Sequence, residues 1–314
     1  ASYEGVLFEK HNFNGINRWL LPMGVYHRTR RRKGITFCPL CLFDDEEPYF
    51  RRRWRLALST VCETHGSLML DACPSCEAPV MYFRRELGHR DKAVIDSLAL
   101  CHNCGFDLRR GPAIDPPGPD GKTLAILRSL NTFHDMGWWY CGDETQHYGF
   151  AYFDVLHHLA TYLTSAPGTR LLKLAECDIG QRILSTSELC RMPLEQRAIQ
   201  QRHRLLTLAL WLLDDWPQRF VTSCRRAGLT SSRIMRSETF PFWFQSVVES
   251  ELAAGIYMLS PVEIQSAVRL LESKGQPVTI ASVSILLGKH RGTKTIAAAL
   301  RGRHDDAACI HPVP

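Results

Sequence analysis

The sequence has no apolar run of the length that a membrane span needs. A transmembrane helix takes about 20 consecutive apolar residues. The longest dense run, LLTLALWLL from Leu205, contains a threonine and has the length of a buried core helix. The N-terminus also lacks the basic-then-apolar pattern of a signal peptide. We therefore expect a globular protein in the cytoplasm, with no membrane partner.

The motifs of several metal-dependent and nucleotide-hydrolysing enzymes are missing as well. No His-Glu-x2-His occurs. A zinc deaminase needs a glutamate two residues after its first ligand and a Pro-Cys-x2-Cys, but Glu63 directly follows Cys62 and Ala72 precedes Cys73. In PPGPDGKT, Pro116 takes the place of the first glycine of a phosphate-binding loop. We therefore expect no enzyme and predict no catalytic residue.

Acidic residues are absent from one long basic stretch. The formal net charge is +6. From Lys274 to His304 the chain has several lysines and arginines but no aspartate or glutamate, and a second basic run, HRTRRRKG, begins at His27. Basic clusters of this kind are typical of nucleic-acid binding. An ordinary solvated basic face is the alternative that the charge pattern leaves open.

Cysteine, by contrast, is abundant: there are twelve, and seven of them fall between Cys38 and Cys104. With one histidine they form two complete sets of Cys-x2-ligand pairs, which are Cys38, Cys41, Cys62 and His65, and then Cys73, Cys76, Cys101 and Cys104. Outside an oxidising compartment this spacing indicates metal binding rather than disulfides. Because each set has four ligands, we predict two structural Zn²⁺ ions, each held by paired loops.

The remaining sequence predicts a mostly α-helical protein. We expect a small double zinc-ribbon or zinc-finger module, followed by a helical domain with a C-terminal helix-turn-helix. Apolar residues recur at three- and four-residue spacing in KTLAILRSLNTF and FDVLHHLATYL. A third helix is predicted between Pro193 and Pro217, and a fourth in FPFWFQSVVESELAAG. The predicted segments are a lead-in (1–37), the double zinc-finger module (38–110), a linker (111–122), the helical domain (123–258) and a helix-turn-helix-like segment with its tail (259–314).

The C-terminal segment has clear helix boundaries. Ser260 to Glu263 form a capping box with Pro261 at the first helical position, Gly275 ends that helix, and Thr279 caps a second one. A third helix follows in TKTIAAALR, with Ile296 and Leu300 facing the core. In a helix-turn-helix, the N-terminal end of the recognition helix enters the major groove. The predicted DNA-binding residues are therefore Lys289, His290, Arg291, Thr293, Lys294, Thr295, Arg301 and Arg303. A three-helix bundle with a solvated basic face is the alternative.

Several motifs of the zinc region are together highly specific. They are the Cys-Pro-x-Cys-Leu at Cys38, the PYFRRRWRL that follows Glu47, the Cys-x2-His-Gly at Cys62 and the Asp-x-Cys-Pro-x-Cys at Asp71. With RWLLPMGVYHRTRRRKG before them and CHNCGFDL after them, they make residues 17–110 resemble the TniQ/TnsD family of transposition target-selection proteins. Many members of that family carry a helical segment before the zinc module, whereas only a short lead-in precedes Cys38 here.

This resemblance implies an adaptor rather than an enzyme. It would link a target, either DNA bound directly or a guide-RNA effector complex of a CRISPR-associated transposon, to an AAA+ ATPase regulator and hence to the transposase. A second copy of the chain is a further candidate partner. We expect the ATPase to contact the basic lead-in residues, which are Arg28, Arg30, Arg31, Arg32 and Lys33. The alternative function is a DNA-binding transcription regulator with a zinc ribbon and a helix-turn-helix.

Overall fold

The chain folds into two compact units, Ala1–Ala254 and Gly255–Pro314. The computed structural model describes residues 7, 12, 15–27, 31–82, 97–118, 121–136, 138–141, 145–180, 192–236, 238–253, 260–287, 296–297 and 299–300. Each unit is described by itself below. The finer division of residues 1–258 into four segments remains a prediction.

Helices dominate the described residues, as the sequence predicts. In the first unit the regular elements are β1 (Val25–Tyr26), β2 (Arg31–Arg32), α1 (Pro39–Asp44), α2 (Gly121–Met136), β3 (Trp138–Cys141), β4 (Thr145–Tyr148), α3 (Gly149–Tyr162), α4 (Gly168–Ile179), α5 (Ile199–Asp214), α6 (Gln218–Arg226), α7 (Ser231–Met235) and α8 (Phe242–Glu251). Short 3-10 turns occur at Arg52–Arg55, Leu108–Arg110 and Leu194–Gln196. The second unit contains α9 (Pro261–Ser273) and α10 (Ile280–Leu286). None of the helices among the described residues is both long and apolar enough to cross a membrane.

Helix α5 is the centre of the helical part. It packs against α2, α3, α4 and α6, and its leucines are buried on nearly every side, from Leu205 to Leu213. A helix that is apolar all round is stable only in the interior of a protein. The same core includes Trp19, Leu21 and Leu56 from the zinc region, so the two parts of the first unit share their apolar interior.

Two features of the helical part differ from the sequence-based expectation. The helix predicted from Pro193 starts only at Ile199, because Ala198 is extended and a separate 3-10 turn precedes it. Strands β3 and β4 pair as an antiparallel hairpin, with Trp138 opposite Tyr148, in a stretch expected to be helical. The aromatic and threonine residues of these strands favour extended backbone, and helical periodicity does not reveal that preference.

Hydrogen bonds connect the zinc region to the residues at the start of α5. The Asp71 carboxylate accepts the backbone N–H of Ile199 at 2.8 Å, which supplies a partner for one of the unpaired donors of the helix N-terminus. Glu195 accepts the backbone N–H of Trp19 at 2.8 Å. The His203 ring contacts the Thr60 hydroxyl and the Pro117 carbonyl. The zinc region is therefore held against the helical core by hydrogen bonds as well as by apolar packing.

The second unit begins as the sequence predicts. Ser260 and Glu263 form the capping box of α9, and Gly275 follows that helix with a φ of +64°. Thr279 forms a second capping box, with Ser282. Ile296 is buried with residues of α9 and α10, and Leu300 packs against the same cluster, as expected for core-facing positions. The structure does not describe residues 288–295.

Candidate metal centres

The structure brings all four predicted ligands of the first set together; we call Cys38, Cys41, Cys62 and His65 the first cluster. The sulfur atoms of Cys41 and Cys62 are 3.5 Å apart, and the Nδ1 atom of His65 lies 3.3 to 3.6 Å from the three sulfurs. A tetrahedral zinc with bonds of about 2.3 Å to sulfur and 2.0 Å to nitrogen requires ligand separations of about 3.5 to 3.8 Å. The spacing is therefore compatible with one zinc ion.

The four ligands of the second set also converge; Cys73, Cys76, Cys101 and Cys104 are the second cluster. Their sulfur atoms approach in two pairs, Cys73 with Cys104 and Cys76 with Cys101, each at 3.7 Å. This is close to the edge of a tetrahedron of thiolates around zinc, about 3.8 Å. Among the described residues, no other group of histidine, cysteine, aspartate and glutamate has a metal-binding arrangement.

Three of the four ligand pairs lie in the same type of loop. In each, the backbone N–H four residues after the first cysteine donates to that cysteine's carbonyl, and the cysteine's own N–H donates to the carbonyl five residues on. An isolated antiparallel bridge closes every loop. The residue after the last ligand has a positive φ, namely Gly66 at +67°, Glu77 at +58° and Gly105 at +74°. Glycine suits this left-handed backbone, and Glu77 adopts it without that advantage.

The Cys38–Cys41 pair departs from the predicted loop. Cys38 is the N-cap of α1, Pro39 occupies its first turn, and Cys41 lies within the helix. Proline fits the first turn because its fixed φ is helical and its missing N–H would be unpaired there anyway. Pro39 therefore starts a helix instead of shaping a loop. The partial positive charge of a helix N-terminus also favours a thiolate at Cys38.

The thiols of both clusters influence each other's protonation. Hydrogen bonds from the Cys41 and Cys62 thiols lower the pKa of Cys38, whereas the shared bond with Cys38 raises the pKa of Cys41. Burial raises the pKa of Cys76, but hydrogen bonds led by that of the Asn103 side chain outweigh burial, so that this pKa falls to about 7. A metal ion binds thiolates, so its binding releases the remaining protons.

A carboxylate supports the histidine ligand of the first cluster. The Nε2 atom of His65 lies 2.8 Å from an Asp44 carboxylate oxygen, and its other ring nitrogen faces the sulfurs. This carboxylate–histidine pairing fixes the ring orientation and strengthens the metal bond. The ligand spacing in the sequence does not reveal this role of Asp44. Asp44 lies three residues after Cys41, but its contact with His65 depends on how the segment that contains α1 meets the Cys62–His65 loop.

The arginine-rich segment between the ligand pairs is largely structural. Arg51 forms a bidentate ion pair with Asp45, in which two guanidinium nitrogens lie 2.8 and 3.0 Å from the two carboxylate oxygens. The same guanidinium lies over the Trp54 ring, 4.9 Å from its centroid. Arg53 pairs with Glu63. Trp54 is buried, and the Phe50 ring meets it edge-on with centroids 6.0 Å apart. These contacts stabilise the chain between Cys41 and Cys62.

The other predicted site residues are less completely described. Arg31 is exposed on β2, and the Arg32 side chain donates to the Met23 carbonyl at 3.1 Å. Lys33 is half-buried. Arg28 and Arg30 lie outside the described residues. So does the complete DNA-binding set: Lys289, His290, Arg291, Thr293, Lys294, Thr295, Arg301 and Arg303.

Fold and ligand sets together describe a mostly helical protein with two clusters of side chains that are compatible with zinc binding. Each cluster offers four side-chain ligands to one ion, whereas a catalytic zinc keeps a position open for water or substrate.

Residues 7–69 match the TniQ family model, so the predicted resemblance is confirmed for the lead-in and the first cluster. The match ends before Cys73, and the resemblance of residues 70–110 remains a prediction. A TniQ domain implies a general role in selecting transposition targets. Searches of curated proteins and of solved structures each found no match.

Proposed function

We propose that this protein is a non-enzymatic adaptor for transposition target selection. It connects a DNA target to an AAA+ ATPase regulator and, through it, to the transposase. The single observation that carries this proposal is the TniQ match over residues 7–69, because this segment coincides with the lead-in and the first cluster. The proposal includes one structural zinc ion in each cluster.

The closed ligand sets support a binding role rather than catalysis. A hydrolytic zinc site needs three protein ligands and an open position for water. Here Cys38, Cys41, Cys62 and His65 are enough ligands for one complete tetrahedron, and the four cysteines of the second cluster are enough for another. The metal then contributes rigidity. A rigid surface loses little conformational entropy when a partner docks, which suits a protein whose task is to hold other components in register.

DNA contact is assigned to the second unit. The stretch from Lys274 to His304 has no acidic residue, and α9, α10 and the residues around Ile296 share one apolar cluster. If the third helix enters the major groove, the eight predicted DNA-binding residues from Lys289 to Arg303 face phosphates or base edges. The other route to the target, through a guide-RNA effector complex, requires none of these contacts.

A partner assay tests the adaptor function. The purified chain should bind the AAA+ ATPase whose gene accompanies the transposase gene, and it should hydrolyse neither ATP nor DNA. Charge reversal of Arg30, Arg31 and Arg32 should weaken ATPase binding if the basic lead-in forms part of the contact. Intrinsic nuclease or ATPase activity that survives rigorous purification would contradict the proposal. Failure to bind the ATPase, together with sequence-specific binding at a promoter, would favour the transcription-regulator alternative.

A DNA-binding assay separates the two routes to the target. Replacing Arg291 and Lys294 by alanine should weaken duplex binding and reduce the slope of log affinity against log salt by about one unit for each phosphate contact that is lost. Zinc content and the folded state should not change. Unchanged affinity in the double variant would reject direct reading by this helix and would make a guide-RNA complex the target reader.

A further inference from the structure

An exposed aromatic ring lies beside the first cluster. Helix α1 ends with Phe43 and Asp44, and the Phe43 side chain is 70% exposed. Tyr49, five residues further on than Asp44, is 50% exposed. Exposed apolar side chains mark an interaction site when several occur close together, and these two aromatic residues lie six positions apart on one segment. We call Phe43, Glu46, Glu47 and Tyr49 the acidic aromatic patch.

Only part of the nearby negative charge is neutralised within the chain. Asp44 contacts the His65 ring, and Asp45 is paired with Arg51. Glu46 and Glu47 are exposed and form no ion pair in the part of the chain that the structure describes. Two unpaired negative charges therefore lie within four residues of Phe43 along the chain, in a protein whose net charge is +6.

The patch is held rigidly by its surroundings. Cys38 and Cys41 anchor the start of α1, and the Asp45 backbone N–H donates to the Cys41 carbonyl at 3.1 Å. On the far side, the Arg51 guanidinium lies over the Tyr49 ring at 4.7 Å while it also contacts Trp54 and Asp45. The backbone that carries Phe43 and the Tyr49 ring are thus positioned before a partner arrives, which lowers the entropic cost of docking.

We propose that the acidic aromatic patch docks a protein surface in which lysine or arginine side chains surround an apolar socket. Phe43 fills the socket, and Glu46 and Glu47 attract the basic rim, a division of roles that is common at protein interfaces. The negative charge disfavours nucleic acid, whose phosphates it repels. This inference rests on the proposed function, under which the occupant is the AAA+ ATPase.

The test is binding of the purified ATPase to the full zinc-loaded chain and its variants. Phe43→Ala should weaken binding about tenfold or more, the usual loss for a central aromatic anchor. Replacing both Glu46 and Glu47 by lysine should also weaken binding and reduce its dependence on salt. The matched controls are Phe242→Ala, which removes a phenylalanine that is 85% exposed on α8, and Asp115→Lys, which reverses another exposed acid. Both controls should bind as the wild type does.

The possible outcomes separate this assignment from the proposed function. If the wild type binds the ATPase and the patch variants bind equally well with their zinc retained, the patch assignment is wrong while the adaptor function stands. If the wild type does not bind, the adaptor function fails and the assignment fails with it. If Phe43→Ala weakens binding to duplex DNA rather than to the ATPase, the patch contacts nucleic acid and the inference is overturned.

Discussion

The first and second clusters have the same number of ligands but different surroundings. Cys38, Cys41 and Cys62 are all buried and belong to a hydrophobic core, and the fourth ligand is a histidine supported by Asp44. In the second cluster Cys73 and Cys101 belong to the same hydrophobic core, but Cys76 is half-buried and Cys104 is exposed. The comparison indicates that an ion at the first cluster would have three buried cysteine ligands, whereas an ion at the second would lie at the edge of the same core with one ligand exposed to solvent.

The electrostatics of the two clusters differ as well. With zinc bound, three thiolates and a neutral histidine leave one negative charge at the first cluster, while four thiolates leave two at the second. The less charged site is the one that tolerates burial, since an uncompensated charge is costly in the interior. The more charged site is the one that reaches solvent.

Removal of one ligand should have the largest effect and should differ between the clusters. Structural zinc contributes about 10–16 kcal/mol to folding in small zinc domains, comparable to the whole stability of a typical protein. We expect Cys62→Ser to yield unfolded or aggregated protein, because loss of this ligand releases the zinc ion and leaves Cys38 and Cys41 as unliganded thiols in the core. Cys104→Ser should unfold only the surrounding loops and keep one zinc. Circular dichroism and metal analysis check both outcomes.

The control for ligand removal is Cys177→Ser, which changes an exposed cysteine of α4 that belongs to neither cluster. It should keep two zinc ions and the thermal stability of the wild type. A soluble, folded Cys62→Ser protein with an unchanged melting temperature would remove the distinction between the two clusters.

Chelation should release the two ions in sequence. Because Cys104 is exposed, a chelator reaches the second cluster directly, whereas the first cluster has three buried cysteines and only its histidine is partly exposed. Zinc transfer to a chromogenic chelator should therefore show a fast and a slow phase of equal amplitude. The fast phase should disappear in Cys104→Ser. If the fast phase persists in that variant, the second cluster is not the labile one.

Substitution of Asp44 should change the zinc affinity of the first cluster only, because the second cluster has no histidine ligand. Asp44→Asn keeps the shape of the side chain but removes the charge next to His65. Loss of such a supporting carboxylate typically costs 10- to 100-fold in metal affinity. We expect that loss for one of the two ions, measured by competition with a chelator. Asp45→Asn, which affects the pair with Arg51 instead, should leave both affinities unchanged. Equal behaviour of the two variants would contradict a role for Asp44 in zinc binding.

The smallest effects concern the left-handed residue that ends three of the ligand loops. Gly105→Ala should destabilise the zinc-loaded protein by about 1–2 kcal/mol, the cost of this backbone for a residue with a Cβ. A Cβ atom there meets nothing within 4 Å, so the cost is conformational. Glu77→Gly relieves the same cost and should stabilise the second cluster by up to about 1 kcal/mol. Urea unfolding measures both changes, and a Glu77→Gly variant as unstable as Gly105→Ala would contradict the account of these loops.

Local patterns account for what the sequence could predict. Ligand spacing identifies both clusters because the two ligands of each pair are only three residues apart, and the capping box at Ser260 is complete within four residues. Helix α1, which starts after Cys38, was not predicted because proline suits a loop and a first helical turn equally well. The contacts of Asp71 with Ile199 and of Glu195 with Trp19 join residues 128 and 176 positions apart. No periodicity in the sequence encodes such partners, since they depend on how the zinc region packs on α5.

Zinc K-edge X-ray absorption, combined with metal analysis of the freshly purified and reduced chain, tests most directly whether both clusters are closed. The structure predicts two zinc ions per chain, with an average of about 3.5 sulfur and 0.5 nitrogen ligands each and no oxygen. Fewer than two ions, or an oxygen ligand that indicates an open position at either zinc, would contradict the view that these metals build a binding platform instead of an active site.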